Sequence, residues 1–503
     1  MARKGSPKVR TGCLTCKIRK VKCDEVKPYC HRCVSTGRKC DGYAPTQPST
    51  SLQWHRPRSH FPDVNSAAEI RHLQFFWEVA APRLSGPMEP YFWTNLVLQF
   101  GSFEPAVRHS VIAISSLYER LHRDPAAARL LPDDGVVLRH YNAAIQEMKS
   151  QESVPLVLLV CVLFICIEFL RGNREAAIQH CKHGICLLET VESSYPWAKE
   201  YLSPIFRRLS LFPFFFGSGS ESFPKLVGVE DNIPPAFDNI AEAQYHVDNV
   251  VRRTVRLLRR GDPYRLGHLR QDPVPEELLI EQNEIRAMLS AWHASFLALK
   301  SKPDILGTPN EMICNILMRY EVARIWADMT LEQNETAYDK YLDKFRLLID
   351  EAANLASSKS FGGLEPRDNP TFSFEMGFVP LLFYIVMKCR CLNTRIRGLS
   401  LVKRLGARRE TLWEIGTVYA TGKRIIEIEH GVLLDQSGQP STEAICPGLP
   451  ADEMRVRETT TDPKLRVKPD LNGREEIGRM VGLFMKTLDG DIYLRHEFVV
   501  ESL

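Results

Sequence analysis

Six cysteines packed into 28 residues constrain this chain more than any other feature. They run Cys13-x2-Cys16-x6-Cys23, then six residues, then Cys30-x2-Cys33-x6-Cys40, so the second triplet repeats the first at an offset of 17. The other eight of the 14 cysteines are scattered between Cys161 and Cys446 and need a separate explanation. A repeated C-x2-C pair can place two thiolates on one metal ion, and the third cysteine of each triplet closes its half. Six thiolates exceed the four positions of one tetrahedral zinc, whereas two zinc ions need eight, so two thiolates must bridge. Symmetry between the halves makes the first cysteine of each triplet the natural bridge. Cys13 and Cys30 would contact both ions, Cys16 and Cys23 would complete one site, and Cys33 and Cys40 the other.

The competing reading of six clustered cysteines is a miniprotein with three disulfides. No apolar stretch follows the basic N-terminus, so a secretory signal is not expected and the protein reads as intracellular, where thiols stay reduced. Two Zn2+ ions are therefore the expected cofactor. A segment this short has few apolar side chains to bury, so its folding free energy must come from zinc.

Charge points to what the metal unit binds. Residues 1–42 carry 12 Lys and Arg against Asp24, Glu25 and Asp41, a formal +9, which leaves 53 bases and 58 acids, −5, for the rest of the chain. A basic head on a mildly acidic body is the electrostatic footprint of a nucleic-acid-binding module attached to a regulatory one. Between Cys16 and Cys23 lies Lys17-Ile18-Arg19-Lys20-Val21-Lys22, a short helical segment with four bases. The equivalent stretch of the second half, Val34-Ser35-Thr36-Gly37-Arg38-Lys39, is less basic, with Gly37 placed to end a helix. The first half is thus the candidate for reading base edges in the major groove, with Lys20 leading, and the second for phosphate contacts. The plainer reading of these bases, a solvated face or a nuclear-import signal, is compatible with DNA binding.

The run from Cys13-Leu-Thr-Cys-Lys-Ile-Arg-Lys-Val-Lys-Cys through Pro28-Tyr-Cys-His-Arg-Cys to Lys39-Cys40 resembles the fungal Zn2Cys6 binuclear-cluster family of transcription factors, matching all six ligand positions. The resemblance extends to Pro28, where family members turn the chain between two helices, often through a cis peptide. It implies that Lys20 supplies a side-chain contact to a CGG-type triplet, aided by the backbone near Arg19. Lys17, Lys22, Arg38 and Lys39 would then hold phosphates, giving an affinity that falls steeply with salt. It further implies a sequence-specific regulator of RNA polymerase II genes acting in the nucleus, with double-stranded DNA and transcriptional machinery or co-regulators as partners.

At 503 residues the chain exceeds the roughly 250–300 over which a single core grows, so at least two units are expected. The expected division is a DNA-binding domain over 1–43, a flexible linker rich in Pro, Ser, Thr and Gln over 44–66, and a helical regulatory domain over 67–503. No heptads follow the cluster, so no coiled-coil zipper sets an oligomeric state or half-site spacing. The fold class reads as mainly α: two short helices in the zinc cluster, then a large all-helical body. Helices are expected at 105–121, 134–150, 155–172, 174–191, 281–300, 311–329, 337–358, 374–395 and 409–431. Residues 154–170 contain Pro155 and Glu168, and the uninterrupted apolar run is too short to span a bilayer, so a buried helix is expected and no membrane partner. The segments Glu104–Tyr118 and Phe374–Pro380 look like the regulatory region found behind many fungal zinc clusters.

Other patterns have ordinary explanations. His180, Cys181, His183 and Cys186 crowd together without a second C-x2-C, and Cys389 and Cys391 have no partners at ligand spacing, so all read as structural. Gly217–Ser222 lacks the Lys-Ser/Thr ending of a phosphate loop and reads as a turn. Asn334-Glu-Thr336 matches a glycosylation acceptor that an intracellular protein would not use. No catalytic signature stands out, so no catalytic residue and no enzyme activity is expected. The alternatives are a ligand sensor or enzyme in the body that the cluster merely localises, and a zinc module whose bases meet an acidic protein.

Overall fold

The computed structural model of the protein describes residues 11–43, 64, 66–123, 135–191, 195–216, 223–224, 232–302, 308–360, 370–469 and 473–501. The stretch expected as a linker, Val64 and Ser66 apart, and the glycine patch 217–222 lie outside the described residues. The chain divides into two compact units, Met1–His60 and Phe61–Leu503.

The first unit contains two short helices, Leu14–Ile18 and His31–Val34. The second is mainly helical, as the periodicity predicts. Its organising element is Val154–Arg171, buried on nearly every side between Pro105–Arg123 and Arg174–Val191. By length and composition this helix could cross a membrane, yet it is a core helix here, 83% of it buried among its neighbours. Pro155 sits in the first turn, where a missing N–H costs nothing, and Gly172 ends the helix at φ 71. Its one carboxylate, Glu168, is buried and held by Arg171 at 2.9 Å.

A second layer pairs Ile240–Arg265 with Glu276–Lys300 and Asn310–Met329. Its centre is Trp292, stacked between Phe296 and Tyr320 at 4.7 and 5.1 Å, with the indole N–H donating to Ala243 O at 2.8 Å. A third group comprises Leu342–Ser360, Val379–Lys388, Leu392–Leu405 and Ile415–His430.

The body departs from all-helical character in two places. Short strands β1 (Phe372–Ser373), β2 (Arg409–Glu410) and β3 (Trp413–Glu414) form a small sheet in which β1 and β2 run parallel and β2 and β3 antiparallel. After the last helix the chain builds a four-stranded antiparallel sheet from β4 (Glu458–Thr461), β5 (Arg466–Pro469), β6 (Glu475–Lys486) and β7 (Ile492–Val500). Along β6 the buried residues Val481, Leu483 and Met485 alternate, so one face joins the core of the third helical group while the other meets solvent.

A buried ionic network fastens this sheet region to the helices. Glu335 accepts from Lys388 at 2.9 Å and Arg390 at 3.1 Å; Glu429 accepts from Arg395 at 2.7 Å and from the Val456 N–H at 2.7 Å; Arg455 reaches Asp339 at 2.8 Å. Charges this deep are tolerated because each is paired and hydrogen-bonded. Asn334, the residue of the glycosylation match, is a helix cap, its side chain accepting from the Thr336 N–H at 2.9 Å.

Candidate metal centre and nucleic-acid interface

The 17-residue repeat of the sequence is also a repeat of local structure. Cys13 caps the first helix, its Sγ accepting from the Cys16 N–H at 3.4 Å; Cys30 caps the second, its Sγ accepting from the Cys33 N–H at 3.3 Å. Each helix then closes alike. The Lys20 N–H donates to Lys17 O at 3.1 Å and the Val21 N–H to Cys16 O at 3.1 Å; 17 residues on, Gly37 N–H donates to Val34 O at 3.0 Å and Arg38 N–H to Cys33 O at 3.1 Å. Both closures turn through the left-handed region, at Lys20 (φ 54) and Gly37 (φ 65), and so do the next equivalent positions, Glu25 (φ 63) and Gly42 (φ 74). Glycine serves at no steric cost in the second half, whereas the first half places a lysine and a glutamate there.

These turns bring the sulfurs together. Cys13, Cys16, Cys23 and Cys30 form one group and Cys13, Cys30, Cys33 and Cys40 another, the Sγ atoms of each lying within 4.8 Å of one another. Cys13 and Cys30 belong to both groups, and their sulfurs are 3.6 Å apart. Cys13–Cys33, Cys16–Cys30 and Cys16–Cys33 are separated by 3.8, 3.7 and 3.7 Å. Disulfide bonding needs about 2.0 Å, and every cysteine is a free thiol. Two thiolates at about 2.3 Å from a tetrahedral zinc stand about 3.8 Å apart, so the sulfur spacing fits zinc. All but the half-buried Cys23 are buried.

The rest of the unit braces this cage with polar contacts. Asp24 accepts from the backbone N–H groups of Val26, His31 and Arg32 at 3.2, 3.2 and 2.7 Å, tying the start of the second helix to the connecting loop. Thr15 donates to Asp41 at 2.8 Å, and Tyr43 to Val26 O at 2.8 Å. The Lys27–Pro28 peptide is cis. Among the described residues of the unit, only Val21 and Tyr43 join the cysteines in its hydrophobic cluster, a small core to hold these residues without metal.

The bases nominated from sequence lie on the outside. Lys17, Lys20, Lys22, Arg38 and Lys39 are exposed, and none forms an ion pair among the described residues. Arg19 differs: it is half-buried, and its Nη1 is shut from solvent with no partner among the described residues. Ile18 between them is 78% exposed, an apolar residue on an otherwise basic face.

The second cluster of histidines and cysteines does not converge. Cys181 points inward, His183 and Cys186 outward, and His180 is spent on the Tyr141 hydroxyl at 3.2 Å. Among the described residues, only the two groups within 13–40 bring ligand atoms together. Cys389 is buried and Cys391 half-buried, with no metal-binding neighbours.

Residues 11–49 match the fungal Zn(2)-Cys(6) binuclear cluster domain. The chain is 26% identical over 420 residues, 73% of its length, to the aspercryptin biosynthesis cluster-specific transcription regulator of Emericella nidulans, of which it covers 67%. It is 31% identical over 206 residues, 35% of its length, to the transcription regulator lscL of Purpureocillium lilacinum, covering 48% of that protein. A Zn(2)-C6 fungal-type transcription factor of Aspergillus fumigatus aligns at 31% identity over 138 residues, 25% of this chain and 36% of that one. No solved structure matches the chain. A cage for two zinc ions within a fungal Zn(2)-Cys(6) cluster domain, bearing bases that form no ion pair among the described residues and followed by a helical body similar to that of a transcription regulator, supports DNA-binding transcription regulation by this chain.

Proposed function

We propose that the chain is a nuclear regulator of RNA polymerase II genes that reads CGG-type triplets through its zinc cluster. In this reading Cys13 and Cys30 bridge two zinc ions, Cys16 and Cys23 complete one site, and Cys33 and Cys40 the other. Lys20 contacts the bases, the backbone near Arg19 assists, and Lys17, Lys22, Arg38 and Lys39 hold phosphates. Residues 1–43 bind DNA, 44–66 link, and 67–503 engage co-regulators without catalysis.

The observation that carries the assignment of Lys20 is its backbone. A left-handed residue with a side chain costs about 1–2 kcal/mol, and the equivalent position of the second half avoids that cost with Gly37. Strain kept at one half only is the mark of a side chain needed there. Glu25, likewise left-handed in this unit, uses its carboxylate locally, accepting from the Thr11 hydroxyl at 2.6 Å. The Lys20 ammonium has no partner among the described residues and is free for DNA.

A relative that aligns over most of the chain is named for one biosynthesis cluster, which supports a similar role here: control of a set of biosynthetic genes. Selection from a random duplex pool with the full chain tests the reading, the enriched motif being expected to contain CGG. Genome-wide mapping of bound sites then gives spacing and target genes. Enrichment of a motif without CGG-like triplets would refute the base-contact assignment.

A further inference from the structure

The helical body contains two adjoining spaces that no part of the DNA-binding function uses. One is a chamber of about 120 Å³, walled mostly by apolar side chains such as Phe215, Trp326 and Trp413, with Arg265, Arg319 and Lys388 also in its wall, each paired with an acid. An apolar cavity of roughly 150 Å³ in a protein core can take up benzene, so this chamber has room for a single ring or a short branched chain. The other is a cleft of about 1090 Å³ that adjoins it, for Phe215, Phe383 and Trp413 line both. Trp413 packs against Phe216 at 5.1 Å and Phe215 at 6.0 Å, and its indole N–H is shut from solvent with no acceptor among the described residues.

The charge of the cleft is one-sided. Arg120, Arg171, Arg174, Arg259, Arg409 and Arg479 line it, against Glu175, Glu414 and Glu458, with no lysine or aspartate. Several of these arginines are spoken for: Arg171 pairs with Glu168, Arg259 with Asp262, and Arg409 and Arg479 share Glu414 at 2.6 and 2.8 Å. Arg174 is the exception. Among the described residues it forms no ion pair; its guanidinium donates to Phe216 O at 3.3 Å and lies over the Phe216 ring at 5.4 Å. Burial lowers its pKa, and Arg479 adds to that, while Glu175 and Asp462 act the other way from beyond ion-pair distance.

We infer that this pair of spaces is an effector site for a small amphipathic acid, an aromatic carboxylate in chemical class, whose ring enters the chamber past Trp413 while its anionic head meets Arg174. Apolar lining with a few placed polar groups is the usual make-up of a small-molecule site, and a carboxylate would satisfy the planar donor fork of the arginine. The site lies within the body unit and stands independently of how the cluster reads DNA.

Zinc-loaded full-length protein titrated with 4-phenylbutyrate tests the inference, following tryptophan fluorescence, to which Trp326 and Trp413 contribute, and the melting temperature. Saturable binding is expected at up to millimolar concentration, weaker for the neutral 4-phenylbutanamide and absent for butyrate, which has the head but not the ring. Arg174→Gln is expected to weaken the acid by roughly tenfold while leaving the amide unchanged, as loss of one charge-assisted hydrogen bond predicts. Arg174→Lys, which keeps the charge, should recover part of the loss, and both variants should melt as the parent does in the absence of probe. Failure of 4-phenylbutyrate to bind saturably, or equal weakening of acid and amide in Arg174→Gln, would overturn the assignment.

Discussion

Replacing Lys20 with glycine separates what this residue costs the cluster from what it gives the complex. At φ 54 the lysine backbone carries about 1–2 kcal/mol of left-handed strain that glycine does not feel. Glycine gives back about 0.4–1 kcal/mol through the greater freedom of the unfolded chain, leaving a net gain of about 0.5–1 kcal/mol. Because folding of this unit is coupled to zinc, the gain should appear as retention of zinc against a competing chelator by a factor of roughly 2–5. Alanine keeps the strain and loses the same ammonium, so Lys20→Ala should hold zinc less tightly than Lys20→Gly. Both variants lose the same base contact, worth about 1–3 kcal/mol, and discrimination between CGG-bearing and scrambled duplex should fall by roughly 5- to 150-fold in each. Colorimetric zinc release and fluorescence anisotropy on the full-length chain measure the two effects. Were Lys20→Gly to keep its preference for CGG, the base-reading role would be wrong. Were it to hold zinc no better than Lys20→Ala, the strain reasoning would be.

Four further outcomes follow from the same structure. Arg38→Ala and Lys39→Ala should weaken binding evenly across sequences and reduce the slope of log K against log salt by about 1 each, read from titrations at several salt concentrations. Chelation should abolish DNA binding while leaving the far-ultraviolet circular dichroism of the helical body nearly intact, since its hydrophobic clusters contain no cysteine of the zinc cage. Arg395→Met should destabilise the body by about 3–5 kcal/mol in denaturant melts, because it leaves Glu429 buried with one guanidinium fewer. His109 and His140 stand Nδ1 to Nδ1 at 2.9 Å; burial lowers both pKa values below the ordinary 6.5, and the His109 ring, Arg139 and His72 lower that of His140 further, as Arg108 does that of His109, against the opposing pull of Glu69, 3.9 Å from His140, and of Glu147. The unfolded chain therefore binds more protons, so stability should fall as pH drops below about 6.5, and His140→Gln should flatten that dependence in thermal melts.

Much of the body was legible where helical periodicity is unbroken. Residues 174–191 form a helix with the expected bounds, and those expected at 155–172 and 311–329 are observed as Val154–Arg171 and Asn310–Met329. Expected helices 374–395 and 409–431 each proved composite. The first becomes helical only at Val379, after the turn that follows β1, and breaks at Cys389–Cys391, where buried Arg390 joins the ionic network; the second opens as β2 and β3 before Ile415. Ile240–Arg265 was missed altogether, its apolar stripe diluted by six arginines, although Asn239 and Glu242 mark its start: the Asn239 side chain accepts from the Glu242 N–H at 2.9 Å. The C-terminal sheet also left a trace, Asp489-Gly490 between two apolar runs, with Gly490 at φ 98 in the hairpin turn joining β6 to β7.

The sequence by itself determined the metal centre. Ligand spacing within each triplet is a local property, and a short chain of fixed reach leaves few ways to put six thiolates around two ions, so the two four-sulfur groups sharing Cys13 and Cys30 were legible before any coordinates, and the bridging role of those two is proposed on that ground. Tertiary structure decided what depends on distant residues meeting. The left-handed turn at Lys20 has meaning only beside its equivalent at Gly37. The aromatic wall of Phe215, Phe383 and Trp413, with Arg174 on its cationic side, joins segments nearly 240 residues apart in the chain, and no pattern of spacing along a sequence records which of its distant side chains will share a cavity.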